Sequence, residues 1–508
     1  MKEFKTEKGE ILLYTGNPKV SMLEALAQGP GDVWHSSLDQ GFKNAFPELK
    51  YQASVFWWYI NDFTKSDSAA SWRVNPSEFV VRKSAWEHFK GFDPDYSSEI
   101  MQALDFGYRC AVYGAVPMYI KGLFESDAKT DARISTRDRH VFYRKHFSLS
   151  QSLFMIYRKG FWKLGEWINF FKANSFKTKY ETKILPPRTL NAMQGRPTVS
   201  YIIPTMLRQE FTEQLITDLS NQSYPPTQVV VVDATPEEKR DPKFYQNKNY
   251  PFELIVKWQQ TKGSCRARNE AIALSTGDYF IFGDDDICIP DDFIENHIRL
   301  LQTYKTGACN GLDIRADHPQ QTLKDLDVKL QSMGSARWKV GMSHNFSNAN
   351  SCVQREFVQQ LGGNDVNFDG GYGEDSDFGI SLVKLGTIVL FNPFSPNLHL
   401  KPASGGYRWW GAQAKKTGKQ RKKQPWELDV PVKKVRPVPS PTVMYGILKH
   451  FTEEQLTEYR SRYFMMYLIK GNKLTLPFRI LNLPYKNLQF QKSLFYAKNL
   501  LKLGKRTQ

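Results

Sequence analysis

The 508-residue sequence has only five cysteines, Cys110, Cys265, Cys288, Cys309 and Cys352, and no Cys-x-x-Cys pair. That excludes a disulfide framework and a zinc site of paired cysteines, and it implies reduced thiols in a cytoplasmic protein. No run of eighteen apolar residues occurs, so no spanning helix is expected. Met1-Lys2-Glu3-Phe4-Lys5 is followed by no apolar signal core. Acids are in deficit, with 52 Asp and Glu against 69 Lys and Arg, a formal net charge of +17. That sign favours anionic partners: an acidic membrane face, an acidic polysaccharide or a nucleotide-linked substrate. Any membrane contact is expected to be peripheral, on the inner face. Nucleic acid is suggested by charge alone; the basic and aromatic residues at 142–163 form no motif, and no such partner is expected. What the chain does have is 41% hydrophobic and 14% aromatic residues, enough for packed cores and against wholesale disorder.

One stretch organises the rest. Tyr279-Phe280-Ile281-Phe282-Gly283 is a strand-forming run that ends in Asp284-Asp285-Asp286. Adjacent carboxylates repel one another and cannot be buried unpaired. A hard divalent cation with oxygen ligands suits them, and the carboxyl edge of an open α/β sheet is a place to hold a phosphorylated ligand through it. The alternative is a solvated acidic turn.

Residues 1–150 alternate short apolar runs with turns. Ile11–Tyr14 and Ser54–Trp58 read as strands or buried segments, and Ser84–Phe89 and Glu99–Tyr113 as helices. Residues 151–195 form a basic, aromatic helical linker ending near Pro186-Pro187. A new domain, 196–410, opens with strands at Val199–Thr205, Gln228–Asp233 and Leu254–Val256, alternating with helices at Glu210–Ser220 and Arg266–Leu274. That alternation predicts a doubly wound sheet. A helix over 291–305, a long connection over 313–345 and a Gly-rich acidic segment, Gly370-Gly371-Tyr372-Gly373-Glu374-Asp375, follow. Residues 411–508 form a basic region with helices near 442–468 and 490–503.

The chain also repeats itself at an offset of 272. Val81-Arg82-Lys83 stands opposite Val353-Gln354-Arg355, Gly91-Phe92-Asp93 opposite Gly363-Asn364-Asp365, Asp105-Phe106-Gly107 opposite Asp377-Phe378-Gly379, and Gly114 opposite Gly386. Glu374-Asp375 is replaced by Gln102-Ala103 in the first copy. The expectation is a shortened, degenerate copy that packs or binds without catalysing.

Ser200–Thr205, Val229–Asp233, Lys262-Gly263-Ser264-Cys265-Arg266-Ala267-Arg268-Asn269, Asp284–Asp286 and Gly373-Glu374-Asp375, in that order, resemble family 2 glycosyltransferases of GT-A fold, over roughly residues 197–400. The residues after Asp233 are Ala234-Thr235-Pro236, where that family often has Asp-Gly-Ser. The resemblance implies an α/β fold: a Rossmann-like mixed sheet flanked by helices, a smaller degenerate half-domain before it, and a basic helical region after it. It implies a divalent metal, Mn²⁺ or Mg²⁺, with Asp286 as direct ligand and Asp284 as the nucleotide-side carboxylate. It also implies a nucleotide-diphosphate sugar, UDP-linked for preference, contacted through Thr205, Asp233, Lys262, Arg268, Asp284 and Asp285. Asp375 would be the base for an acceptor hydroxyl on a glycan or lipid-linked acceptor, with Glu374 beside it. His399 resembles the third metal ligand of several such enzymes, against a structural role.

For several of these residues a plainer role competes. Asp233 has a plainer reading as a helix cap or turn acid, Lys262 and Arg268 as solvated helix residues, and Glu374-Asp375 as acids at a helix N-terminus, a role compatible with catalysis. Tyr407, Trp409 and Trp410 either close over the site and stack on sugar or pack against the C-terminal helices. Two other functions compete: a nucleotidyl- or phosphotransferase on the same aspartates, and a non-catalytic polyanion-binding protein.

Overall fold

The computed structural model describes every residue except 38–56, 62, 64, 126–133, 177–182, 242, 246–248, 403–404 and 408–422. The first sheet contains β1 (Lys2–Lys5), β2 (Ile11–Tyr14), β3 (Val33–His35), β4 (Ser68–Ala70), β5 (Val80–Arg82) and β6 (Pro117–Ile120), in the spatial order β1-β2-β5-β3-β6-β4. The second contains β7 (Val199–Thr205), β8 (Gln228–Asp233), β9 (Glu253–Trp258), β10 (Tyr279–Gly283), β11 (Ile287–Cys288), β12 (Ala308–Arg315), β13 (Asn350–Gln354) and β14 (Val389–His399). Their order is β11-β14-β12-β13-β10-β7-β8-β9. β10, β7, β8 and β9 run parallel, whereas β13 is antiparallel to both β10 and β12. This is an α/β mixed sheet flanked by helices, with a further α/β unit before it and helices after it.

Burial explains the pattern. Every residue of β7, β8 and β10 is buried, so these strands are apolar throughout rather than alternating. β9 is the edge and is half exposed. Helices Gln209–Ser220 and Ser264–Leu274 join the parallel strands.

Three expectations change. The stretch 313–345 is not a plain connection: β12 continues to Arg315, and a helix, Leu323–Ser332, starts at a capping box between Thr322 and Asp325. β14 runs on to His399 through Pro393 and Pro396, because its pairing with β12 skips from Asn392 to Pro396 and the residues between bulge out. Ser54–Phe56 lie outside the described residues, and Trp57–Tyr59 forms one helical turn, in which Trp58 is buried, rather than a strand.

The repeat is structural. Val33 pairs with Val81 and Pro117, as Ala308 pairs with Val353 and Val389. Leu12 and Leu13 face Arg82 and Val81, as Tyr279 and Phe280 face Gln354 and Val353. β2 is therefore the counterpart of the Asp-rich strand, and Gly16-Asn17-Pro18-Lys19 stands where Gly283-Asp284-Asp285-Asp286 stands.

The likeness continues beyond the sequence match at a new offset, 304, with Lys145-His146-Phe147-Ser148 opposite Lys449-His450-Phe451-Thr452. His146 reaches Asp105 at 2.6 Å and His450 reaches Asp377 at 2.7 Å. Lys145 pairs with Asp93, and Lys449 with Asp365. Ser148 with Gln151, and Thr452 with Gln455, form the capping boxes of the next helices. In both copies a Lys-His pair at a helix end ties down the glycine-rich turn and the helix after it.

Asp105 is fully buried and bonds Arg109 at 2.7 Å, the Tyr96 hydroxyl at 2.7 Å and His146. Burial opposes its ionisation, but the Arg109 and His146 charges hold its carboxyl well below the usual range. Asp105→Ala is expected to cost about 3–5 kcal/mol, the range for breaking a buried pair. Urea unfolding of the full chain measures it, and a loss below about 1 kcal/mol would make these pairs no stronger than surface ones.

Candidate active site

The acidic triplet leaves β10 between β7 and β13, where each carboxylate meets a cation. Arg268 Nη2 donates to Asp284 Oδ1 at 2.8 Å. Arg208 Nη1 bridges Asp285 Oδ1 at 3.0 Å and Asp286 Oδ2 at 2.9 Å. Arg208 is delivered by a tight departure from β7, with Leu207 in the left-handed region at φ 57° and its N–H donating to Thr235 Oγ1. His399 Nε2 lies 3.3 Å from Asp286 Oδ1, and its Nδ1 lies 3.2 Å from Asp313 Oδ1. Strand pairing enforces this meeting, since Ile287 faces His399 across β11 and β14, and the Leu400 N–H donates to the Asp286 carbonyl.

The bulge in β14 that aims His399 rests on a buried polar network. Asn350 Nδ2 donates to the Ser395 carbonyl and to Asn397 Oδ1, Asn350 Oδ1 meets His297 Nε2, and Asn397 Nδ2 donates to Asp313 Oδ1 at 2.8 Å. Residue 311 must be glycine, because a Cβ there would sit 1.9 Å from Asn350 Oδ1.

The charges are uneven. Burial, with the neighbouring Asp286, pushes Asp285 up to about 7 despite Arg208. Burial also opposes ionisation of Asp286, but the His399 hydrogen bond and the Arg208 charge outweigh it and hold its carboxyl below the usual range. Burial works against the His399 imidazolium, yet Asp286 and Asp313 raise its pKa to about 10.

Asp284, Asp286 and His399 each offer one ligand atom, and the three atoms lie within 4.8 Å of one another. Two carboxylates and an imidazole form an N/O donor set that fits a divalent ion of borderline softness. Arg208, Arg268 and the His399 imidazolium balance the charge of these acids.

Arg268 carries the site towards the second acidic pair. It is almost wholly buried, its Nε and Nη1 have no hydrogen-bond partner, and its charge acts on Asp284, Asp375 and Glu374. Glu374 and Asp375 open helix Glu374–Lys384 behind Gly373, which is left-handed at φ 110°. Asp375 Oδ1 accepts from Asn348 Nδ2 at 2.5 Å. Burial, followed by the Glu374 charge, pushes Asp375 up to about 7, against the pull of Arg268.

Other residues singled out in the sequence lie nearby in different situations. Thr205 is buried and donates to Asp285 Oδ2 at 2.7 Å, so its hydroxyl supports the triplet. Asp233 accepts the Thr235 N–H at 2.8 Å and the Tyr245 hydroxyl at 2.9 Å, which is a turn with both oxygens engaged. Lys262 is exposed on the turn before helix Ser264–Leu274. Tyr407 donates to Gln259 Oε1 at 3.1 Å and packs on the core at this end of the sheet; Trp409 and Trp410 lie outside the described residues.

Sequence reasoning missed Arg208, Asp313, Asn348 and Asp369. Asp369 accepts the Cys265 N–H at 2.7 Å at the start of helix Ser264–Leu274, and a Cβ at Gly263 would sit 2.2 Å from its carboxylate. An acid directly before the glycine-rich run Gly370-Gly371-Tyr372-Gly373 was the one available signal; the other three sit in ordinary contexts.

The glycosyl transferase family 2 model matches residues 200–361. The Escherichia coli (strain K12) protein WcaA, named as a colanic acid biosynthesis glycosyl transferase, is 27% identical over 115 residues. That match spans 22% of this chain and 39% of the relative's length. Among solved structures, the mannosyltransferase PcManGT of Pyrobaculum calidifontis with GDP-Man and Mn²⁺ is 18% identical over 65% of this chain and 93% of its own, with a TM-score of 0.35. S. aureus TarS 1–349 with UDP-GlcNAc is 16% identical over 60% of this chain and 88% of its own, with a TM-score of 0.34. The matched residues 200–361 contain the Asp-rich strand and its neighbours, so the likeness to glycosyl transferase family 2 falls on the candidate site.

Proposed function

We propose that the protein is an inverting, metal-dependent glycosyltransferase that moves a sugar from a nucleoside-diphosphate donor, UDP-linked for preference, to a hydroxyl of a glycan or lipid-linked acceptor in surface polysaccharide synthesis. It would work in the cytoplasm, against the inner face of a membrane. The observation that carries the reading is Arg268, buried with two free donor atoms between the Asp284, Asp286 and His399 ligand set and the Glu374-Asp375 pair. A buried guanidinium with unused donors suits an anion, and a diphosphate is the anion such a cluster serves.

Asp284, Asp286 and His399 would hold a divalent ion, Mn²⁺ or Mg²⁺, which would supply Lewis-acid stabilisation of negative charge on the departing diphosphate. Arg268 donates to the same oxygens through Nε and Nη1. Asp375 accepts the acceptor hydroxyl's proton as that oxygen attacks the anomeric carbon from the face opposite the nucleotide, which inverts it. Asn348 holds Asp375 in place, and Glu374 binds the acceptor. Thr205 and Arg208 fix the triplet from behind. The first copy is read as silent, with Gln102-Ala103 for the acidic pair and Asn17-Pro18-Lys19 for the triplet.

Asp375→Asn keeps the shape and the Asn348 neighbour but cannot take a proton. Transfer is expected to fall by roughly 10²–10⁴-fold while donor affinity stays within a few-fold. Because Asp375 works as the base only when ionised, wild-type kcat/KM is expected to rise with pH through about 7, and the variant to lose that limb. Near-wild-type transfer by the variant would remove the base role. For the metal, Asp286→Ala is expected to abolish Mn²⁺-dependent donor binding in calorimetry while the thermal midpoint holds, since His399 keeps Asp313 and Arg208 keeps Asp285. Unchanged binding would move the metal elsewhere.

A further inference from the structure

We infer that the equivalent helices of the two copies together form a surface that docks on a bilayer containing anionic lipid. Helix Leu149–Lys159 follows the first Lys-His pair, and helix Glu453–Ile469 follows the second. They face each other across an apolar cavity of ≈ 1040 Å³ bounded by Leu153, Tyr157, Met465 and Ile469, with Arg460 and Arg462 among its walls. Each helix runs on into exposed apolar side chains. On the first side these are Phe161, Trp162 and Leu164, with Trp162 71% exposed; on the second they are Leu474, Phe478 and Leu481, at 82%, 73% and 77%. Aromatic and aliphatic side chains in such a group mark an interaction surface, and aromatic rings beside lysines suit a bilayer interface. Among the described residues no helix is long and apolar enough to cross a membrane, so the contact is lateral.

Charge selects the occupant. Residues 459–508 contain eleven Lys and Arg and no Asp or Glu. Between 149 and 176 the only acid is Glu166, which is buried against Arg139 at 2.8 Å and His140 at 2.8 Å. A second copy would set cations against cations, whereas an anionic headgroup layer complements both the charge and the apolar side chains. The proposal rests on the membrane-side placement given above and not on sugar transfer, so vesicle binding without donor or acceptor tests it separately from Asp375.

The full chain is floated with phosphatidylcholine vesicles with and without phosphatidylglycerol. It is expected to float with the anionic vesicles and to be partly released by salt. Trp162→Ser with Phe478→Ser is expected to lower the partition coefficient at least about tenfold at any salt. Lys163→Gln with Lys470→Gln is expected to lower it about fivefold per cation at low salt only. All four side chains are exposed, so folding is unaffected. Hydrogen exchange of the wild type is expected to slow at 157–171 and 469–485 when anionic vesicles are added. Absence of flotation, unchanged flotation in both variants, or protection elsewhere would overturn the inference. So would a lipid-free dimer that Trp162→Ser splits, which would give the surface to a second copy.

Discussion

Three carboxylates in a row at the buried end of a central strand have to be met by positive charge, and the surrounding structure follows from that need. Taking one ion out of water costs several kcal/mol, so an unanswered triplet would not persist there. The answers come from three directions: Arg208 off β7, Arg268 off helix Ser264–Leu274 and His399 off the end of β14. Each is held by further polar groups, Thr235 behind Leu207, Asp369 at the helix start, and Asp313 with Asn397 and Asn350 behind His399. The resulting chain of hydrogen bonds spans the carboxyl edge of the sheet and leaves Arg268 with donor capacity to spare.

The parts legible in the sequence were those whose signal is local. β7, β8 and β10 are buried on both faces, so their apolar runs and acidic ends stand out without any neighbour. Asp284, Asp286 and His399 were picked out and do converge. The parts that were missed are set across the sheet. Nothing near Arg208 announces that it bridges two acids 77 and 78 positions away, and Asp313 sits 86 positions before His399. β14 carries Pro393 and Pro396, residues that normally end a strand, and only its bulged register against β12 shows how both are accommodated. Thr205 and Asp233, expected as ligand contacts from the resemblance, also have hydrogen bonds within the protein that no local signal announced.

The two copies separate what the fold needs from what chemistry adds. Both keep the antiparallel β5-type strand, the following helices and the Lys-His pair on two aspartates, and the first copy keeps them with no acidic triplet or Glu-Asp pair beside them. Asp365, Asp377, Lys449 and His450 are therefore structural, although they flank Asp375. Asp375 and Glu374 gain position from that frame: Lys449 and His450 anchor the first turn of their helix through Asp377.

The same comparison locates what was added. β6 ends at Ile120, whose counterpart is Asn392, and there β14 breaks register with β12. The offset between copies rises from 272 to 304 before the Lys-His pair, so thirty-two additional residues enter the second copy between Asn392 and Lys449. That interval contains Asn397, His399 and Tyr407. The third member of the ligand set therefore lies in the interval over which the second copy is longer, past the end of the strand pairing that both share. Placing an imidazole there costs little in the fold, because the added residues leave the shared pairing intact and fold back along β12 and β11. β14, extended past its bulge between β11 and β12, is the strand that brings His399 to Asp286.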